Sequence, residues 1–138
     1  MNFGRVAAAA LVGWVVYLGL SPLVNNLLMA DLYAQHARVF RPPDDMRVTF
    51  GLGATLLGFF VFAYAYAKGY EGGAGAGEGL RYGVLVGLLL ATFSVAWNYV
   101  VLPVSGTLAA AWIVDVIAEM AIYGAVVGLV YKPRGGRK

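Results

Sequence analysis

The sequence predicts an all-α integral membrane protein, a four-transmembrane-helix bundle with both termini cytoplasmic. Three observations predict it. Hydrophobic residues make up 61% of the 138 residues and charged residues 12%, against about a quarter charged in an average soluble domain. The apolar residues gather into four runs of about 20 residues or more, enough for a helix to cross a hydrocarbon core about 30 Å thick. Nearly all the charged residues lie between or beyond those runs.

The first span is expected over residues 6–29. With Arg5 in front and Leu28-Met29-Ala30 behind, it has the outline of a signal peptide, but the run exceeds a typical signal core, so an uncleaved helix is the expectation. Pro22 should kink it, because proline removes an internal hydrogen bond and clashes with the preceding turn. Asn25 and Asn26 lie near its far end. Residues 31–47 form the first connection, with residues 31–40 suited to a short interfacial helix and Asp44 or Asp45 placed to cap the next helix.

The second span is expected over 48–67, closed by Tyr64, Tyr66 and Tyr70 as an interfacial aromatic belt. Residues 69–79, Gly-Tyr-Glu-Gly-Gly-Ala-Gly-Ala-Gly-Glu-Gly, are predicted to be a flexible cytoplasmic linker. No strand or P-loop Lys-Ser/Thr accompanies these glycines, so they do not make a phosphate loop. The third and fourth spans are expected over 82–102 and 109–131, followed by the basic tail 132–138. All four belong to a single domain.

An even number of spans puts both termini and the glycine segment on one side. That side holds Arg5, Lys68, Arg81, Lys132, Arg134, Arg137 and Lys138, against Arg38, Arg41 and Arg47 on the other. The positive-inside rule then gives an N-in, C-in, multi-pass protein.

Composition also excludes functions. The pI near 9.3 comes from topology-setting loops and a tail, so no nucleic-acid partner is expected. With no cysteine, there is no disulfide, thiolate metal site or iron-sulfur cluster. His36 stands alone with loop carboxylates, too few ligands for a transition metal, so no metal site is expected. No Glu-x-x-His, His-Glu-x-x-His or Gly-x-Ser-x-Gly motif is present, so no catalytic residue is assigned.

Three helix faces require company other than lipid. In the third span Gly83, Gly87, Ala91, Ser94 and Asn98 form a stripe at helical spacing, predicted to be a helix contact. In the fourth, Gly124 and Gly128 make a Gly-x-x-x-Gly pair. On the same helix Asp115 and Glu119 share one face, and at about 100° per residue that face lies about 180° from Gly124. Counted from Ala109 at about 1.5 Å per residue, Asp115 is about 9 Å deep and Glu119 about 15 Å.

Carboxylates at such depth are costly and mark a site or an assembly contact. Asp115, Glu119, Asn98, Ser94 and Asn25 are therefore the candidate intramembrane polar residues. Desolvation favours the neutral acid whereas a cation favours the carboxylate, which gives a physical basis for proton or cation exchange. Trp14, Tyr17 and Tyr123 lie deep enough to pack in a core or to meet a lipid, quinone or pigment.

Glu78-Gly79-Leu80-Arg81-Tyr82-Gly83, then Asn98-Tyr99, Val114-Asp115 and the Gly124/Gly128 exit resemble small four-helix membrane proteins found in many bacterial genomes. The resemblance covers residues 78–131. It implies a bacterial inner-membrane bundle and brings no activity with it. The leading expectation from the sequence is an accessory or scaffold subunit that meets membrane lipids and docks on copies of itself or on other membrane subunits. The alternative is a small channel or a proton- or cation-coupled transporter using the acids.

Overall fold

The computed structural model describes residues 1–131; the basic tail on which part of the orientation argument rests lies outside the described residues. Helix α1 (Phe3–Leu23) continues through a π turn at Val24–Leu28. After α2 (Ala30–Gln35) and a 3-10 turn at Pro43–Asp45, α3 (Val48–Gly69) returns. Helix α4 (Gly75–Leu90) runs through a second π turn, Ala91–Val95, into α5 (Ala96–Val101), and α6 (Gly106–Tyr131) closes the bundle. No strand occurs among the described residues. Four helical stretches, Phe3–Leu28, Val48–Gly69, Gly75–Val101 and Gly106–Tyr131, are long and apolar enough to cross a membrane.

Successive spans run in opposite directions. Along α1 and α6, Gly13 lies near Val127 and the Tyr17 ring meets Tyr123. On a neighbouring face of α6, Gly75 of α4 meets Gly128 while Gly87 meets Ile117. One end of the bundle therefore gathers Met1, Gly69–Gly75 and Tyr131, here called the terminal end. The opposite end, carrying the 29–47 and 102–105 connections, is the loop end.

The closest packing is between α4 and α6. A Cβ placed on Gly79 would meet the Gly124 carbonyl, one on Gly83 would meet Met120, and one on Gly87 would sit 2.8 Å from the Ile117 Cα. Lipid supplies no hydrophobic drive between helices, so close backbone approach and the dispersion it brings must hold this pair together.

This ladder explains the main departure from expectation. Residues 69–79 are not a linker and the third span does not begin at 82, because α4 starts at Gly75. Glycine costs about 0.5–1 kcal/mol in a helix interior relative to alanine, but only glycine at positions 75 and 79 lets α6 approach. The connection shrinks to a turn with Gly72 at φ +87°. Glu78 fastens that turn, accepting from the Glu71 N–H at 2.6 Å and the Gly73 N–H at 2.7 Å.

On the adjacent face of α6, that of Tyr123 and Val127, α1 presents Val6, Ala9, Ala10 and Gly13, a small-residue face that admits large rings. Phe59, Phe62, Tyr66, Tyr123 and Tyr131 fill the core at the terminal end. Their rings meet mostly edge to face, as with Phe59–Tyr123 at 5.2 Å and Tyr66–Tyr131 at 5.9 Å, the arrangement the ring quadrupole favours. Tyr66 thus belongs to the core, at 2% exposure, whereas Tyr64 is belt-like at 42% and Tyr70 is partly exposed. Two further local expectations change. Arg47, not Asp44 or Asp45, precedes α3, and no side chain caps that helix; Asp45 instead pairs with Arg41 at 2.8 Å. The helix expected over 31–40 is the shorter α2.

Candidate functional site

Asp115 and Glu119 point from α6 toward the loop-end part of α1. Glu119 is 9% exposed. Its Oε2 accepts the Tyr123 hydroxyl at 2.8 Å, and its Oε1, fully enclosed, has no hydrogen-bond partner. Tyr123 cannot readily turn away, because its ring is wedged edge-on between Tyr17 and Phe59. Ser21 of α1 lies beside the same carboxyl. Asp115, one turn toward the loop end, is half-buried.

A line of polar side chains covers the pair. The Trp112 indole N–H donates to the Tyr33 hydroxyl at 3.1 Å, Tyr33 donates to Asn25 Oδ1 at 2.7 Å, and Asn25 Nδ2 donates to the Ser21 carbonyl at 2.8 Å. The local sequence explains why this happens on α1. Pro22 cannot continue the regular hydrogen-bond ladder, and the π turn at Val24–Leu28 follows it. Single π turns recur where side chains must be presented for function.

Helix α2 acts as the cover that carries Tyr33. Phe40 braces it, edge-on to Tyr33 at 5.2 Å and to Trp112 at 6.2 Å. His36 fastens the same segment to the start of α6. Its Nδ1 lies 2.7 Å from the Leu32 carbonyl and its Nε2 accepts the Ser105 N–H at 3.0 Å. With an acceptor facing Nδ1 and a donor facing Nε2, the two contacts are made together when the ring hydrogen is on Nδ1. Burial raises the Tyr33 phenol above its ordinary value, and the nearby carboxyls of Asp115 and Glu119 add to that rise. Tyr33 therefore stays a hydrogen-bond donor throughout the physiological range.

Among the described residues the one ion pair is the exposed Arg41–Asp45 contact at the loop end. Within that same set, no arginine or lysine neutralises the acids.

Of the candidates read from the sequence, Asp115, Glu119 and Asn25 come together. Ser94 and Asn98 do not join them, nor do they belong to the α4–α6 contact; both are exposed. The buried row runs by fours through Gly75, Gly79, Gly83, Gly87, Ala91 and Val95. At about 100° per residue a step of four drifts by about 40°, and at the end of the row the π turn at Ala91–Val95, with more residues per turn, brings Val95 rather than Ser94 to the buried face. Gly83, Gly87, Ala91, Gly124 and Gly128 all lie in this contact. Since it is on the side of α6 opposite the acids, no residue of that row can serve them.

Sequence reasoning missed Ser21, Tyr33 and Trp112 as partners. The Glu119/Tyr123 spacing of four was a legible signal; Tyr33, from a separate short helix, left none. Trp14 and Tyr17 lie in the bundle, Trp14 Nε1 donating to Thr55 Oγ1 at 3.2 Å. His36 and its neighbours form no group of three or more metal-ligating side chains among the described residues.

Fold and site together define a class: an all-α protein with four helices fit to span a membrane and a buried, uncompensated carboxyl between the first and last of them. Comparison with family models, curated proteins and solved structures returns no match, so what this chain does must be argued from its geometry.

Proposed function

We propose that the chain is a small proton-coupled transporter or channel in which Glu119 is the protonation site and Asp115 its relay toward the loop end. The observation that carries this reading is the enclosed Glu119 Oε1 with no partner and no cationic neighbour among the described residues. A bare carboxylate so placed costs several kcal/mol, so the group holds a proton or a cation. A proton is favoured, because hard metal ions take six or more oxygen ligands and two acids with a few hydroxyls fall short. Binding and release then require only that water reach Asp115 past Tyr33 and Asn25.

On the distribution of basic residues the terminal end is cytoplasmic, which puts the acid pair in the half of the bilayer away from the cytoplasm; the resemblance of residues 78–131 favours a bacterial inner membrane. The test is proton flux in proteoliposomes under an imposed pH gradient. Flux that depends on Glu119 supports the reading, and equal flux in the Asp115→Asn, Glu119→Gln double variant overturns it.

A second reading, an accessory subunit of a membrane complex, draws on a different observation. On α3, a Cβ added at Gly51, Gly53 or Gly58 would meet nothing within 4 Å, and Ser94 and Asn98 stand exposed on another face. However, both lipid-averse faces of α6, which favoured docking on a partner, are covered by α1, α2 and α4 of the same chain. Native mass spectrometry in mild detergent separates the readings: a defined oligomer or a co-purifying subunit supports assembly, and a lone monomer removes it.

A further inference from the structure

At the terminal end, far from the acids, a cleft of about 880 Å³ opens between α1, the end of α3 and the last residue of α6. Its lining includes Met1, Arg5, Lys68, Tyr70 and Tyr131 and no acidic side chain among the described residues. Arg5 is partly buried and forms no ion pair among the described residues. The nearest acid on α4, Glu78, is already engaged by the backbone amides of Glu71 and Gly73. Glu71 stands exposed in the adjoining turn, and among the described residues no acid pairs with Arg5 or Lys68.

A second, apolar groove of about 400 Å³ lies between the same two helices, lined by Phe3, Val6, Ala7, Phe60, Val61 and Tyr64. On α3, Phe60, Tyr64 and Lys68 follow one another at intervals of four, a single row leading from groove to cleft. Lys68 Nζ sits 5.7 Å over the Tyr64 ring, so the ammonium is held at the junction of the two. Four residues along α3 is about 6 Å, which places Phe60 and Tyr64 deeper in the bundle than Lys68, while on α1 Arg5 lies at the level of Phe3 and Val6.

We propose that this cleft and groove form one site for an anionic glycerophospholipid, with the headgroup phosphate at Arg5 and Lys68 and an acyl chain along Phe60, Val61 and Ala7. An arginine offers a phosphate two parallel donors and a lysine a point charge. The apolar groove is what selects a lipid over a soluble phosphate, since inorganic phosphate gains nothing from Phe60 or Val61. This site is independent of the acid pair.

The test is native mass spectrometry of the full chain from mild detergent, titrated with phosphatidylglycerol or with phosphatidylcholine of the same acyl length. Retention of phosphatidylglycerol should exceed that of phosphatidylcholine by roughly tenfold or more, from about two cationic contacts. Arg5→Gln with Lys68→Gln should abolish the preference, and Arg5→Lys with Lys68→Arg should keep most of it. Ala7→Phe, which fills the groove, should weaken retention of both lipids. Equal retention of the two lipids by the unaltered protein overturns the proposal, as does an unchanged preference in the glutamine variant. Competition by millimolar inorganic phosphate as effective as that by lipid overturns the lipid assignment.

Discussion

Tyr123 donates a 2.8 Å hydrogen bond to one oxygen of Glu119, one turn earlier on α6, while the other oxygen of the same buried carboxyl has no partner. A buried carboxyl held by the Tyr123 hydroxyl, with only the neutral Ser21 hydroxyl beside it, is poised to carry a proton. Tyr123→Phe removes the hydroxyl bound to Oε2 and leaves only Ser21 beside the carboxyl, and such a loss in a buried site costs about 1–3 kcal/mol. Glu119→Gln, which keeps the shape and an acceptor for Tyr123, should cost less. Thermal unfolding in detergent measures both; a glutamine variant less stable than the Tyr123→Phe variant would show that the site depends on negative charge.

The glycine ladder predicts a contrast between positions. Gly79→Val and Gly124→Val place a side chain against the facing backbone, which has no rotamer to yield, and should separate α4 from α6, with losses of several kcal/mol in the range of severe overpacking. Gly51→Ala and Gly58→Ala, where a Cβ meets open space, should be neutral or stabilise by up to about 1 kcal/mol through helix propensity. Thermal melting of the four variants checks this, and equal effects at the two pairs would contradict the ladder.

The cover over the acids should loosen when Tyr33 loses its hydroxyl, which links Trp112 to Asn25. The sequence has no cysteine, so a single Met29→Cys thiol, at the 5% exposed residue between the π turn and α2, reports on the opening of that segment. Adding Tyr33→Phe should speed its labelling by a water-soluble maleimide several-fold. An unchanged rate would mean that Phe40 and His36 hold the segment without Tyr33.

Much of the bundle was legible because membrane spans are written in long apolar runs: all four spans lie where the runs do, and the glycines of α6 mark a real contact. What was hidden depended on tertiary context. Gly75 and Gly79 look like linker residues because intrinsic propensity disfavours them in helices, and only the approach of Gly124 and Gly128 makes them helical. Ser94 and Asn98 look like part of the packing stripe when a uniform 3.6-residue period is carried through Ala91–Val95, where the helix has a π turn. The opposition of Asp115 and Gly124 across α6 could be counted from the sequence, and it already implied that residues on the glycine side would not reach the acids. Tyr33 was beyond reach, since it comes from a six-residue helix folded over from another part of the chain.

Proton exchange at Glu119 across this bundle is the central claim. The direct measurement is proton flux into liposomes loaded with a pH-sensitive dye, with the unaltered protein, Glu119→Gln and Asp115→Asn compared at equal reconstitution. Flux should run well above that of empty liposomes, be abolished by Glu119→Gln and be reduced by Asp115→Asn. Flux no greater than in empty liposomes, or undiminished in Glu119→Gln, would contradict it.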